Sequence, residues 1–260
     1  MEILEFNNNQ QFIIADVLEA LKHVDDRSID LCIIDFPYFK PPRVGYSGNP
    51  TQFADLNSHV RWATTVIDKV IPKIKNTGSL YLFAGHCINP HMQIHLLDKL
   101  ILKNFIVWNR GNSSGQSLRK FNNVWEPLLF YVMDDKRYLF DREAASVATA
   151  TRKRGNITHK TVSGEIKQYN TFKVSGDVFN IPAVKPAAKE FISHPSHPNQ
   201  KPEKLIRQLV DVSSNEGDLI LDVFSGSGTT ARVAQLLNRN CISIEQSKEY
   251  VLAGIQRLKL

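Results

Sequence analysis

Residues 219–231, which read LILDVFSGSGTTA, constrain the fold more than any other part of the sequence. Their apolar start is typical of a buried parallel strand, and Gly226 and Gly228 predict a tight turn directly after it. Apolar residues at helical spacing follow from Thr229 onward. A strand, a glycine turn and a helix in this order present backbone N–H groups and a helix N-terminus to a bound cofactor. We therefore predict a Rossmann-like cofactor site here.

The residues around this turn favour S-adenosylmethionine over a dinucleotide. Gly226-x-Gly228-x-x-Ala231 also fits the dinucleotide fingerprint, but that pattern is weak when it stands alone. A carboxylate at Asp222 would repel a pyrophosphate and suits a cationic ligand. A second apolar run ends at Glu245, the position from which an acidic side chain accepts hydrogen bonds from ribose hydroxyls. Only about thirty residues follow Gly228, so the strands that complete the sheet must come from earlier in the chain.

A second informative stretch follows the apolar run 29–34 and reads DFPY at 35–38. An acid, a proline and aromatics at the end of a strand can form an ordinary turn with hydrophobic packing. They also suit a flipped-out nucleobase, which needs an aromatic face and an acceptor for its exocyclic amine. Tyr38 supplies the face and Asp35 the acceptor, while Pro37 stiffens the turn between them. The glycine turn at 226–228 favours this second interpretation.

Three segments together resemble one enzyme family. The DFPY segment resembles the (Asp/Asn/Ser)-Pro-Pro-(Tyr/Phe/Trp) motif of amino-methylating DNA methyltransferases, and DVFSGSGTT at 222–230 resembles their S-adenosylmethionine loop. HPNQKP at 197–202 is similar to a family segment that opens the helix beside the methionine end of the cofactor. With the catalytic motif first and the cofactor loop last, the order resembles the β-class, and MboII-type adenine-N6 methyltransferases in particular.

The resemblance covers most of the chain and implies a fold, a reaction and a set of site residues. The fold is a three-layer α/β Rossmann-like methyltransferase domain with circularly permuted motif order and an inserted basic recognition segment. The reaction moves a methyl group from S-adenosylmethionine to adenine N6 in duplex DNA, after base flipping. The implied catalytic residues are Asp35, Phe36, Pro37 and Tyr38, with Phe36 acting through its backbone carbonyl. The implied cofactor-binding residues are Asp16, Val17, Asp35, Asn199, Lys201, Asp222, Phe224, Gly226, Gly228, Thr229, Thr230 and Glu245.

Phe36 departs from the family motif, which has a proline at this position. Related enzymes that methylate ribosomal RNA carry an aliphatic residue there, so a residue other than proline is chemically workable. Four alternatives stay open: an N4-cytosine DNA methyltransferase, an RNA methyltransferase, a DNA-binding relative that Phe36 has made catalytically silent, and a nicotinamide dehydrogenase. The absence of a Pro-Cys pair excludes a cytosine-C5 methyltransferase. For Asp16, simple capping of the following helix is the alternative to cofactor binding.

The charge of the chain favours a polyanionic partner. The net charge is +6 and the sequence pI is about 9.2, which suits double-stranded DNA. Residues 136–175 are basic and poor in large aliphatic side chains, as a segment in contact with DNA phosphates would be. A solvated surface insertion is the alternative. The predicted nucleic-acid contacts are Lys40, Arg43, Arg119, Lys120, Arg152, Lys153, Arg154 and Lys160.

The remaining expectations concern domains, compartment and partners. We expect a catalytic half at 1–135, the recognition segment at 136–175 and a cofactor-binding half at 176–260. No run approaches the roughly twenty apolar residues that span a membrane. Cys32, Cys87 and Cys241 are typical of reduced buried thiols in a cytoplasmic protein, and we expect no metal site. The resemblance leaves open a homodimer and a cognate restriction endonuclease as a partner.

Overall fold

The computed structural model describes residues 1–7, 9–39, 53–111, 119, 121–146, 174–192 and 199–259, together with the backbone of 157–160 and 166–169. The strands are β1 (Glu2–Phe6), β2 (Gln10–Ile14), β3 (Ile29–Asp35), β4 (Ile74–Phe83), β5 (Ile101–Asn109), β6 (Trp125–Val132), β7 (Ile157–Lys160), β8 (Ile166–Tyr169), β9 (Val178–Asn180), β10 (Leu219–Asp222) and β11 (Asn240–Glu245). The helices are α1 (Val17–Ala20), α2 (Leu56–Val70), α3 (Asn89–Leu96), α4 (Glu203–Ser213), α5 (Thr229–Leu236) and α6 (Lys248–Leu258).

Nine of the described strands form one mixed sheet in the order β1-β2-β11-β10-β3-β4-β6-β5-β9. The central strands β2, β11, β10, β3 and β4 are mutually parallel, whereas β6 runs antiparallel to both β4 and β5. Strands β10 and β11, which come last in the chain, lie between β2 and β3, which come early. The predicted permuted order and mostly parallel sheet are therefore confirmed.

Helices cover both faces of the sheet, which gives three layers. Side chains of α1, α2 and α3 share one core with Cys32 and Ile34, while those of α4, α5 and α6 share the other with Leu31 and Ile33. Successive side chains of β3 point to opposite faces, so both sets are buried. This explains why the central strands read as continuous apolar runs rather than as alternating patterns.

The helix α2 begins at a capping box and ends earlier than its amphipathic pattern suggests. Asp55 Oδ1 accepts from the Ser58 backbone N–H at 2.7 Å, and the Ser58 hydroxyl accepts from the Asp55 backbone N–H at 3.1 Å. The sequence pattern runs to residue 75, but a 3-10 turn occupies Ile71–Lys73 and β4 starts at Ile74. Pro72 has no N–H to donate to the helix, so the α-helical ladder stops there.

The first part of the expected recognition segment packs on the main core. Tyr138 and Phe140 lie against Phe130, with ring centroids 6.1 and 6.3 Å away. Further along, β7 and β8 pair as an antiparallel hairpin that forms its own two-stranded sheet.

The cysteines only partly match the expectation of buried thiols. Cys32 and Cys241 are buried and Cys87 is exposed, because Cys87 lies in the turn after β4 rather than in a strand. Within the described ranges, no helix is both long and apolar enough to cross a membrane.

Candidate active site

Acidic side chains converge at one edge of the sheet, where the parallel strands end. Asp35 closes β3, Asp222 closes β10 and Glu245 closes β11, while Asp16 follows β2. These four strands are neighbours in the sheet, so residues from both ends of the chain meet there. Ligands of open α/β sheets bind outside this carboxyl edge.

The glycine turn between β10 and α5 has the geometry of a cofactor loop. Gly228 has φ +73° and precedes α5, and a Cβ at that position would lie 2.9 Å from the Cα of Gly254 in α6. A side chain there would therefore be strained and would clash with backbone. Glu245 closes the other side of the loop, since Oε2 accepts from the Gly226 N–H at 3.0 Å and Oε1 from the Ser247 N–H at 2.9 Å.

Asp222 lies buried under this loop and has a strongly perturbed ionisation. Oδ1 accepts from the Phe224 N–H at 3.1 Å. The pKa of Asp222 is raised to about 7, mainly by burial; hydrogen bonds from Thr230 and Phe224 oppose the rise, and the charges of Asp35 and Glu245 add to it. A cation in front of the loop would stabilise the ionised carboxylate. In the described part of the chain, no group of three or more His, Cys, Asp or Glu side chains is placed so that it could hold a metal ion.

A pocket of about 360 Å³ opens between the cofactor loop and the end of β3. Its wall includes Ser225, whose buried hydroxyl has no hydrogen-bond partner among the described residues. Two carboxylates, loop N–H groups and this hydroxyl fit S-adenosylmethionine, a net cation with an amino-acid end. The predicted cofactor residues in the wall are Asp35, Asn199, Lys201, Asp222, Phe224, Gly226, Thr229 and Thr230.

Four predicted cofactor residues stand outside that wall: Gly228 and Glu245, whose contacts at the loop are given above, and Asp16 and Val17. Asp16 Oδ1 caps α1 by accepting from the Leu18 N–H at 2.9 Å. The side chain of Val17, the first residue of α1, is buried in the core. Asp16 and Val17 both lie at the end of β2, next to β11 and Glu245. That position is on the ribose side of the loop in a Rossmann-like unit.

Lys201 makes a contact that its sequence position did not reveal. Its Nζ lies 2.6 Å from Asp35 Oδ2 and 3.1 Å from the Tyr38 hydroxyl. Burial alone would lower the pKa of Lys201, but Asp35, Tyr38 and Glu126 outweigh it, so the pKa is raised and the side chain stays cationic. Burial raises the pKa of Asp35, and the nearby ammonium opposes that rise. Lys201 thus lines the cofactor pocket while its charge is paired with the predicted catalytic acid.

The Tyr38 side chain is fixed at both ends. Its hydroxyl donates to Glu126 Oε2 at 2.6 Å, and Glu126 Oε1 accepts from Arg110 Nη1 at 2.8 Å. Its ring lies against Gly85, where an added Cβ would approach Tyr38 Cδ1 to 3.1 Å. Sequence reasoning left Glu126 without a functional role, and its place between Trp125 and Pro127 in an apolar strand was the available signal. A buried acid needs partners of this kind.

Phe36 is accommodated in the core. Its side chain is 1% exposed, and its ring centroid lies 5.8 Å from that of Trp62 and 5.4 Å from that of Phe224. Its N–H donates to the Phe83 carbonyl at 3.1 Å, which extends the β3–β4 pairing by one bond. A proline has no N–H to make this bond. Among the described residues, no donor occupies the Phe36 carbonyl.

Most predicted nucleic-acid contacts fall on residues that the structure does not describe. Lys40, Arg43, Lys120, Arg152, Arg154 and Lys153 lie outside the described residues, and only the backbone of Lys160 is described, in β7. Arg119 is exposed. It precedes β6, the strand that carries Glu126.

Comparison with known sequences identifies the family. Residues 29–256 match the family model described as DNA methylase, which covers N6 and N4 methyltransferases. The chain is 32% identical to DNA adenine methyltransferase YhdJ of Escherichia coli over 99% of this chain and 85% of that protein. It is 30% identical to Type II methyltransferase M1.MboII of Moraxella bovis over 96% of this chain and 95% of that protein.

Solved structures agree on the fold. The PvuII DNA methyltransferase, described as cytosine-N4-specific, superposes with a TM-score of 0.73 at 20% identity, over 96% of this chain and 86% of that one. The complex of M1.HpyAVI with S-adenosylmethionine gives a TM-score of 0.65 at 21% identity, over 96% and 100%. The predicted fold and cofactor are thus confirmed, and the chain belongs to the DNA methylase family of S-adenosylmethionine-dependent methyltransferases.

Proposed function

We propose that this protein methylates adenine at N6 in duplex DNA, with S-adenosylmethionine as the methyl donor. The observation that carries this proposal is the Asp35 carboxylate. Its Oδ2 is held by Lys201, whereas its Oδ1 is buried at the mouth of the cofactor pocket without a partner among the described residues. A buried acceptor without a donor is costly, so Oδ1 is ready for an N–H from a substrate.

The proposed chemistry needs positioning more than covalent catalysis. S-adenosylmethionine, when bound, supplies a methyl group on a sulfonium, which is a good leaving group. Asp35 Oδ1 and the Phe36 carbonyl accept the two hydrogens of the target amine and direct the nitrogen lone pair toward that methyl group. The N–C bond forms as the C–S bond breaks, and the amine nitrogen then releases one proton. Tyr38 stacks on the flipped base, and Pro37 stiffens the turn that carries it.

The proposed cofactor contacts follow the same edge of the sheet. Asp222 and Asp35 provide negative charge near the amino-acid end and the sulfonium. The loop N–H groups and Ser225 provide hydrogen bonds, and Glu245 and Asp16 reach the ribose and the adenine. We further propose that residues 136–175 form a recognition segment, inserted in the chain between the catalytic half 1–135 and the cofactor-binding half 176–260. This segment and the basic residues predicted above contact DNA phosphates.

The choice of adenine rests on the acid in the motif and on the names of the relatives. Cytosine-N4 enzymes often carry serine in place of Asp35, and one relative of similar length is named an adenine methyltransferase. The structural neighbour that acts on cytosine N4 bears only on the fold, because its identity is low. N4-cytosine methylation is therefore the second candidate.

Methyl transfer from tritiated S-adenosylmethionine to unmethylated genomic DNA tests the proposal. The product is digested to nucleosides and separated. N6-methyladenine is expected. N4-methylcytosine would be consistent with the proposed mechanism but would show that the target base is cytosine rather than adenine. Asp35→Ala is expected to abolish transfer while cofactor and DNA binding persist; full activity in that variant contradicts the role of Asp35. If the wild type transfers no methyl group but still binds the cofactor, the proposal fails and the protein is a DNA-binding relative without catalytic activity.

The same proposal includes a cytoplasmic location, a homodimer and a cognate restriction endonuclease. Several relatives are named Type II methyltransferases, which supports the proposal of a cognate restriction endonuclease. Light scattering on the purified protein tests the dimer, and a monomer at all concentrations would exclude it.

A further inference from the structure

Glu126 is a buried carboxylate whose two oxygens each have a defined partner. Oε2 accepts from the Tyr38 hydroxyl at 2.6 Å, and Oε1 accepts from Arg110 Nη1 at 2.8 Å. Lys201 Nζ lies 3.7 Å from Oε2. The side chain is only 9% exposed. Carboxylates this deeply buried are retained where their partners compensate for the lost hydration.

Glu126 does not itself line the cofactor pocket, but both of its inner neighbours belong to the methyl-transfer site. Tyr38 is the aromatic residue of the catalytic motif, and Lys201 holds Asp35 Oδ2 at 2.6 Å. The ammonium group of Lys201 therefore sits between two carboxylates. With Arg110, which pairs with Glu126, the cluster has two cationic and two anionic side chains.

The ring of Tyr38 is located by two contacts on different sides. Gly85 allows its close approach, since a Cβ there would lie 3.1 Å from Cδ1. The hydroxyl is anchored by Glu126, and a hydrogen bond to a charged acceptor is stronger than one to a neutral group. Without that anchor, the ring keeps its packing surface but its hydroxyl end loses the stronger of its two hydrogen bonds, and the bond from Lys201 remains.

We propose that Glu126 is a positioning residue for methyl transfer, which acts through the Tyr38 hydroxyl and through Lys201. Glu126 orients the Tyr38 ring for the target base. It also holds Lys201 at the position from which Lys201 binds Asp35 Oδ2, so that Asp35 presents Oδ1 to the target amine. Arg110 fixes Glu126 from the outer side. This inference rests on the function proposed above.

A double-mutant cycle tests the inference. Single-turnover methyl transfer to unmethylated genomic DNA, at saturating S-adenosylmethionine, is measured for the wild type, Glu126→Gln, Tyr38→Phe and the double variant. Each single change is expected to lower the rate about tenfold, the scale of one hydrogen bond to a charged group. The double variant is expected to fall no further than the slower single variant, because both changes remove the same interaction.

Several outcomes overturn the inference. If the two losses multiply to about a hundredfold, Glu126 does not act through the Tyr38 hydroxyl. A wild-type rate in Tyr38→Phe overturns it as well, even if Glu126→Gln fails to fold. Glu216→Gln, the same substitution in an exposed turn, serves as the matched control and should transfer at the wild-type rate. If the wild type itself transfers no methyl group, the proposed function fails, which is distinguishable from a failure of the cycle.

Discussion

The Lys201 ammonium lies 2.6 Å from Asp35 Oδ2, although the two residues are 166 positions apart in the chain. Asp35 ends a central strand, Lys201 lies just before α4, and both residues line the cofactor pocket. A hydrogen-bonded cation favours the ionised form of a carboxylate that burial would otherwise neutralise. Lys201 therefore favours the ionised form of Asp35, which is the form that the role proposed for Asp35 requires.

Removing this cation should move the pH dependence of methyl transfer. In Lys201→Met, Asp35 keeps its burial and the unfavourable charge of Glu126, both of which raise its pKa. Asp35 must be ionised to accept from the amine, so the acidic limb of the transfer rate should shift to higher pH. A single-turnover pH profile measures this shift.

The control for that profile is Lys204→Met, which makes the same substitution at an exposed position of α4. Its profile should match the wild type. An unshifted acidic limb in Lys201→Met, in a variant that still binds cofactor, would contradict the assignment of Lys201 as the counter-ion of Asp35.

Cofactor binding should release protons near neutral pH. Burial raises the pKa of Asp222 to about 7, so about half of the free protein carries a proton there at that pH. A cationic ligand favours the carboxylate and expels this proton, and affinity should therefore fall as the pH drops below about 7. Titration calorimetry in buffers of different ionisation enthalpy measures the release. Asp222→Asn should lose most of it, and an equal release in that variant would assign the proton to another group.

Restoring the family proline at position 36 should damage the protein. Phe36→Pro removes the N–H donated to the Phe83 carbonyl and most of the ring that packs on Trp62 and Phe224. Loss of a buried aromatic side chain costs about 3 kcal/mol or more of unfolding free energy. Phe36→Leu keeps the N–H and much of the apolar volume, so about 1 kcal/mol is expected. Denaturant unfolding compares the two, and a proline variant as stable as the leucine variant would contradict this account.

The cofactor loop should not tolerate a side chain at Gly228. A Cβ there combines a φ of +73° with an approach of 2.9 Å to the Cα of Gly254. Gly217 has a φ of +81° but open space, and Gly176 has neither constraint. Gly217→Ala should therefore cost about 1 kcal/mol from backbone strain alone, and Gly228→Ala about 1–3 kcal/mol more. Gly176→Ala should be close to neutral. Urea unfolding orders the three, and equal losses at 217 and 228 would exclude the contact with Gly254.

The sequence was enough to predict the fold and one half of the site. The apolar runs at 29–34 and 219–222 marked buried strands, because parallel strands covered on both faces carry no polar alternation. The glycines at 226 and 228 marked the cofactor loop, since a turn of this geometry needs positive φ. Asp35, Asp222 and Glu245 followed, because each stands at the end of its strand.

The other half depended on long-range packing. Pairing of β6 with β4 and β5 brings Glu126 beside Tyr38, and the position of the segment before α4 brings Lys201 onto Asp35. Neither contact leaves a local pattern, since both join residues far apart in the chain. Local rules of turns, hydrophobic periodicity and strand ends thus determined the sheet, the cofactor loop and the position of Asp35, the proposed catalytic acid. Only the tertiary structure decided how that acid is charged and how its aromatic neighbour is held, because a buried charge is governed by whichever groups the fold places against it.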